Sequence, residues 1–457
     1  MADQPQITNT RDAVALARER GLSHVNVGLF DVDGLLRSKR ISLKKLESVL
    51  EKGLMFCDVI YGWDLHDQIY DNVKFTGWHT GFPDCPVAIL PENFRELPFE
   101  DGGMFFLGQL DGGGAAIDPR AAVGRILERL AGHGMTAAAG FEYEFFIFDE
   151  TPESVREKSY RDLKPLAPGF FGYSGLRSFV HSELYNEILE VCEFMGMPLE
   201  GLHEESGAGV LEAAITVDDA LRSADNAALF KAAVKVLCQR QGLMATFMAR
   251  WSPDWPGQSG HIHLSLAGKE GPLFYDEGAD PDHGISKTMR HFIAGQQALM
   301  PELLAMVCPT INSYRRLIPG FWAPTSATWG IENRTCALRA IPGSAASQRV
   351  EYRIAPADAN PYAALAAALG SGLWGVENEM EPDEPVSGNA YDLPAEGPRA
   401  LPQTLWDAAQ RLRQSEAARN LFGAEFVDHF ASTREWEERE FRKHISDWEL
   451  ARYFEAI

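Results

Sequence analysis

At 457 residues, with 45% hydrophobic and 23% charged side chains, the chain has enough material for a large core, and its composition excludes a mainly disordered polypeptide. Its formal net charge of −23 and its lack of Lys/Arg runs exclude a phosphate-tracking nucleic-acid surface and an anchor for anionic membranes, leaving small molecules as the expected partners. The six cysteines, Cys57, Cys85, Cys192, Cys238, Cys308 and Cys336, are scattered without CxxC pairs, a pattern of reduced cytoplasmic thiols rather than of a disulfide framework or a zinc site.

The first residues, MADQPQITNTRDAVALARERG, mix acid and base without an apolar core and cleavage site, so no signal peptide is expected. Residues 12–20 predict a short helix. His24–Phe30 and Leu35–Ile41 alternate as strands around Asp31-Val-Asp-Gly34, which predicts a hairpin. Further short strands run to Leu110, and the glycine-rich stretch from Asp111 to Pro119 then breaks the chain before a helix at 120–132. That break sets a boundary between an N-terminal domain over 12–110 and a larger domain over 118–457. The larger part has a strand at Met135–Phe148 and helices near 176–196, 217–241, 286–305, 360–380 and 402–418. This order predicts an α+β domain around a mostly antiparallel sheet. The most apolar helical stretch, Tyr362 to Val376, is short, alanine-rich and broken by glycines, so no membrane span is expected.

Four segments hold groups that could carry chemistry. In Gly140-Phe-Glu142-Tyr-Glu144-Phe-Phe-Ile-Phe148 a period of two puts both glutamates on one face, where the pair must either face solvent or meet a divalent cation. His203-Glu204-Glu205-Ser-Gly-Ala-Gly-Val-Leu-Glu212 adds carboxylates around a small-residue turn; it is not HExxH, because position 207 is glycine. In Gln258-Ser-Gly260-His261-Ile-His263-Leu-Ser265 two imidazoles share a strand face and can bind metal or phosphate oxygens. Asn312-Ser-Tyr314-Arg315-Arg316, Asn333-Arg334, Arg339 and Arg349-Val-Glu351-Tyr-Arg353 concentrate arginines within about forty residues. Guanidinium forks suit carboxylates and phosphates, although they could also neutralise the protein's own excess acid. With no GxxxxGK[ST] loop present, nucleotide binding would have to centre on metal rather than on a Walker loop.

In this order the segments resemble the class I glutamine synthetase family across nearly the whole chain. The resemblance implies a small β-grasp-like N-terminal domain that covers the catalytic domain of the next subunit in a ring-shaped homo-oligomer, a dodecamer. Its substrates would be glutamate, ATP and an amine or ammonia, with two or three Mg2+ or Mn2+ ions per site. Glu144, Glu204 and Glu212 match the ligands of one metal; Glu142, His261 and Glu351 match those of a second. His263, Ser265 and Arg349 match nucleotide contacts. Gly257, Arg316, Arg334 and Arg353 match positions that hold glutamate or the transferred phosphate, with Arg339 beside the phosphate.

The departures fall on the acceptor side. Where the family has a glutamate after its Pro-Gly-aromatic turn, Pro319-Gly320-Phe321 is followed by Trp322. The family's Asp-Gly-Ser-Ser segment is replaced by Phe56-Cys57-Asp58-Val59-Ile60-Tyr61-Gly62-Trp63, which leaves Asp58 as the candidate base and Asp64 in reserve. An indole in place of a carboxylate suits a small alkylammonium. The expected activity is therefore that of a γ-glutamylamide ligase similar to the γ-glutamylmethylamide synthetase branch, with methylamine as leading acceptor and ammonia, ethanolamine or a polyamine as alternatives. Asn389-Ala-Tyr391-Asp-Leu-Pro394 resembles a loop whose tyrosine is adenylylated in some bacterial members, making Tyr391 a candidate modification site.

Overall fold

Two sheets organise the chain in the computed structural model, which describes residues 7, 9–280 and 282–457. The reading of residues 1–6 and 8 as part of a stretch without a signal peptide lies outside the described residues. The smaller sheet consists of β1 (His24–Phe30), β2 (Leu36–Ser42), β3 (Leu54–Cys57), β4 (Asp84–Leu97) and β5 (Gly103–Leu110), in the order β2-β1-β5-β4-β3. β1 and β5 run parallel and the other pairs antiparallel. The predicted hairpin forms because Asp31 organises its turn: Oδ1 accepts from the Asp33 N–H (3.0 Å) and the Leu35 N–H (2.9 Å), and Gly34 takes φ +78°, a conformation cheap for glycine.

The larger sheet has ten strands: β6 (Thr136–Phe148), β7 (Leu199–Glu204), β8 (Val210–Ile215), β9 (Asp218–Asp219), β10 (Met244–Thr246), β11 (Gly260–Gly268), β12 (Gly271–Pro272), β13 (Trp329–Ile331), β14 (Leu338–Ile341) and β15 (Arg349–Tyr352). Its main path is β13-β14-β15-β11-β6-β8-β7, and only β13 and β14 pair in parallel. The α+β class with a mostly antiparallel sheet therefore holds. β6 shows how one strand serves both core and site. Phe141, Tyr143 and Phe145 are buried on one face, where Tyr143 and Phe145 meet Phe230 and Phe247 at ring-centroid distances of 5.2–6.2 Å. Glu142 and Glu144 project from the other face.

The apolar stretch near Tyr362 is a core helix, Pro361–Glu377, packed on the helix Lys287–Val307. A Cβ on Gly295 would lie 2.1 Å from the Ser371 carbonyl oxygen, and one on Gly375 2.0 Å from the His291 carbonyl oxygen. These two glycines let the helix backbones touch. A helix apolar on every side is explained by burial within the protein, and among the described residues no helix is long and apolar enough to cross a membrane. The helix predicted over 176–196 forms as two, Gly175–Val180 and Ser182–Phe194. The one predicted over 402–418 stops at Gln414, because Ser415 turns extended and caps a new helix, Glu416–Phe422.

Candidate active site

The polar face of the larger sheet forms the floor of a cavity of about 820 Å3. Every residue expected at the site lines it except Glu204 and Asp58. Strand register explains the convergence. His261 pairs with Glu142, Glu144 with Glu212, and Glu351 with both His263 and Arg339, so side chains from β6, β8, β11, β14 and β15 share one face.

The contacts form two adjoining ionic groups. His263 Nε2 lies 2.8 Å from Glu142 Oε2, and its Nδ1 accepts from Arg349 Nε at 3.2 Å. His261 Nδ1 lies 3.3 Å from Glu351 Oε1. Glu351 also accepts from Arg339 Nη1 at 2.9 Å and from Arg353 Nη1, while Arg339 makes a second ion pair with Glu332. Arg316 is buried and donates to the carbonyls of Ile354 (3.1 Å) and Arg353 (3.3 Å). Gly257 is required beside it: a Cβ there would stand 2.6 Å from Arg316 Cγ and 2.8 Å from the Ala249 carbonyl oxygen.

The electrostatics of this face are unresolved by protein groups alone. Burial opposes ionisation of Glu142, yet the hydrogen bond and charge of His263 outweigh it and hold that carboxyl well below its usual range. Glu212 is driven far above the usual range by burial and then by the charges of Glu142, Glu144 and Glu205; it shares a hydrogen bond with Glu142. Neighbouring carboxyls thus oppose full ionisation of the pair. Burial also pushes Glu144 upward, even though it accepts from the Ser259 N–H at 2.5 Å. Burial and the Arg353 charge lower His261 to about 3, so its imidazole is neutral, and its Nε2 is buried without a hydrogen-bond partner. Crowded carboxylates beside a neutral imidazole with a free ring nitrogen are a donor set for hard divalent cations, and the residues present fit such ions.

One expectation is corrected. Glu204 does not join the cluster. On β7 side chains alternate, and His203 pairs with Glu212 across β8, so positions 203 and 205 share that face and 204 points away. Glu204 is buried behind the sheet, accepting from Tyr185 Oη at 3.0 Å. Glu205 takes its place: His203 Nε2 lies 3.4 Å from both Glu205 and Glu212, and all three could serve one ion. Counting by two from His203 would have selected Glu205; the Glu-Glu doublet concealed the choice.

Asp58 also lies outside this chain's cavity. It sits in a short 3-10 turn, buried, with Oδ1 accepting from Thr76 Oγ1 at 2.6 Å, and burial raises its pKa. The reserve, Asp64, accepts from Trp436 Nε1 (3.1 Å) and from the N–H groups of His66 (2.8 Å) and Gln68 (2.9 Å). Neither lines this chain's cavity.

An aromatic rim was only partly anticipated. Phe146, Tyr173, Phe321 and Trp322 all line the cavity. Tyr173 stacks on His203 with ring centroids 4.7 Å apart. Trp322 is 59% exposed and follows Gly320 into the left-handed region, at φ +59° against +82° for the glycine. Its carbonyl accepts from Arg353 Nη2 at 3.5 Å. Such backbone is uncommon for a bulky residue and recurs at ligand clamps.

Comparison with known proteins gives a consistent picture. The family model described as "Glutamine synthetase, catalytic domain" matches residues 116–453. The chain is 44% identical to "Type-1 glutamine synthetase 2" of Dictyostelium discoideum, covering 95% of this chain and 84% of the relative. It is 34% identical to "Glutamate--isopropylamine ligase" of a Pseudomonas species, covering 100% of this chain and 99% of the relative. The solved structure described as "Apo GmaS without ligand" superposes with a TM-score of 0.83 at 26% identity, covering 97% of this chain and 99% of that one.

Proposed function

We propose a function from one premise: this chain belongs to the glutamine synthetase family. As a member it is an ATP-dependent ligase acting on the γ-carboxylate of glutamate. Its acceptor, in our reading, is a small alkylamine, with methylamine leading. The observation that carries this reading is the aromatic rim, with Trp322 where a family carboxylate would stand and Phe321 and Tyr173 lining the same cavity, Tyr173 beside Glu205 and Glu212.

A carboxylate is a poor electrophile. The reaction therefore passes through γ-glutamyl phosphate, formed from ATP, which the amine attacks with loss of phosphate. Arg316 and Arg353 would hold the acidic substrate, Arg334 and Arg339 would face the phosphoryl group, and His263, Ser265 and Arg349 would hold the nucleotide at the other end. Glu144, Glu205 and Glu212 would hold one Mg2+ or Mn2+ ion, and Glu142, His261 and Glu351 a second. Bound there, such ions neutralise charge on the phosphoryl oxygens. Trp322 at the cavity mouth excludes water that would otherwise hydrolyse the acyl phosphate.

An alkylammonium gains twice from this rim. Its charge can lie over an aromatic face, worth about 0.5–2 kcal/mol, and each buried CH2 contributes about 0.8 kcal/mol. Ammonium gains only the first. Because Asp58 and Asp64 lie away from their own chain's cavity, the reading also places the N-terminal unit over residues 12–110 against the next subunit of a homo-oligomeric ring, a dodecamer. The six unpaired cysteines are in keeping with a cytoplasmic location.

The test is phosphate release from ATP with glutamate and magnesium, comparing methylamine, isopropylamine, ethanolamine, putrescine and ammonia by kcat/KM. Methylamine is expected to exceed ammonia by about tenfold, and Trp322→Glu to reverse that order. Ammonia as best acceptor would make the enzyme a glutamine synthetase, the alternative that the name of the 44% identical relative favours.

A further inference from the structure

Arg339 lines the cavity with part of its guanidinium already committed. Nε donates to Glu332 Oε2 at 3.1 Å, Nη2 donates to the same oxygen, and Nη1 donates to Glu351 Oε2 at 2.9 Å. One N–H on each Nη remains for a guest. The two carboxylates that hold this fork are not equivalent. Glu351, 2% exposed, is shared: it also accepts from Arg353 Nη1, and His261 Nδ1 lies 3.3 Å away. Glu332, 48% exposed, binds through its side chain to Arg339 alone among the described residues.

Local structure fixes that second carboxylate. Position 332 follows β13, whose last residue, Ile331, pairs with Ala340 of β14, and the Glu332 N–H donates to the Ala340 carbonyl at 3.0 Å. The parallel pairing thus brings 332 back beside 339. The next residue is tied down as well: Asn333 Nδ2 donates to the carbonyls of Val386 (3.0 Å) and Gly388 (2.8 Å), and its Oδ1 accepts from the Thr335 N–H at 3.0 Å. Glu332 itself takes φ +51°, a left-handed backbone that glycine adopts freely and glutamate does not. What a glutamate adds there is its carboxylate, and Arg339 engages it. An ion pair so open to solvent adds little to stability; its effect is on where the guanidinium points.

We propose that Glu332 is the positioning residue of Arg339. It grips the Nε edge of the guanidinium, so that the free Nη hydrogens stay on the phosphoryl group as charge builds on its oxygens, whatever else Glu351 engages. The inference rests on the reading that Arg339 faces that group.

Two measurements test it. In the phosphate-release assay Glu332→Ala should lower kcat about tenfold and leave the KM for the amine within about twofold; Glu332→Gln, which keeps an acceptor oxygen, should recover part of the loss. In an Arg339→Ala background the same Glu332→Ala change should alter kcat by less than about twofold. A merely structural role would slow both backgrounds alike, and that result, or an unchanged kcat in Glu332→Ala, overturns the proposal. The second measurement is calorimetric titration with inorganic phosphate in magnesium buffer. Glu332→Ala should raise the Kd about fivefold where Arg339 is present and leave it unchanged in Arg339→Ala. Equal affinity in the wild type and Glu332→Ala, or binding in neither, overturns the proposal too. Failure of the ligase reading looks different: the wild-type protein releases no phosphate from ATP with glutamate and any amine, and the titration still decides whether Glu332 governs anion binding at Arg339.

Discussion

The two sheets bury carboxylates in opposite ways. Around the smaller sheet the buried acids take hydrogen bonds from the protein, even where burial still raises them, as at Asp31 and Asp58. Asp31 accepts from two backbone N–H groups and from Arg37 Nε at 2.8 Å, and Asp64 accepts from two N–H groups and an indole. On the larger sheet Glu142 and Glu212 share a hydrogen bond, Glu144 is raised by burial, and His261 Nε2 has no partner. Burying a charge is costly in both places. Where the chain supplies the compensation, the group is architecture; where it does not, the group awaits a ligand.

The sharpest way to break this contrast is to remove a carboxylate from each side. Glu212→Gln should cut turnover by about 10^3-fold without lowering the thermal midpoint measured in metal-free buffer, since burial and the neighbouring carboxylates already disfavour a charge there. Asp64→Ala should do the reverse to stability, leaving three donors unmet and costing about 2–3 kcal/mol in urea unfolding. Full activity in Glu212→Gln would overturn the metal assignment.

Neighbouring glutamates give a finer comparison. Glu205→Ala should abolish the rise in melting temperature that magnesium produces, whereas Glu204→Ala should keep that rise and lose only about 1 kcal/mol with the Tyr185 hydrogen bond. The opposite pattern would restore Glu204 as ligand.

An effect of pH alone concerns His429, buried at the seam between the helix Ala424–Phe441 and the segment that carries Phe75. Burial and then the Arg434 charge lower its pKa from 6.5 to about 4. Between those values the unfolded chain binds more protons than the folded one, so this contribution to stability is complete above pH 6.5 and lost as the pH falls toward 4. Urea unfolding at pH 7 and 4.5 should differ by about 2 kcal/mol more in the wild type than in His429→Gln. Equal differences would show that the ring is accessible in the folded state.

Local periodicity determined much of this molecule. Alternation on β6 and β11 put Glu142 with Glu144 and His261 with His263 on one face before any fold was known, because strand geometry depends only on the next residue but one. The arginine-rich stretch and the hairpin at Asp31 were legible for the same reason: the groups that define them are close in sequence. Tertiary structure alone decided the rest. Whether Glu204 or Glu205 joins Glu212 depends on register between β7 and β8, and a shift of one residue exchanges the two faces. The rim draws Phe146, Tyr173, Phe321 and Trp322 from three separate segments, and the segment over 386–390 is held by hydrogen bonds to Asn333 and Thr335. Contacts between residues so far apart leave no periodic trace in the sequence, since they are set by how the layers pack.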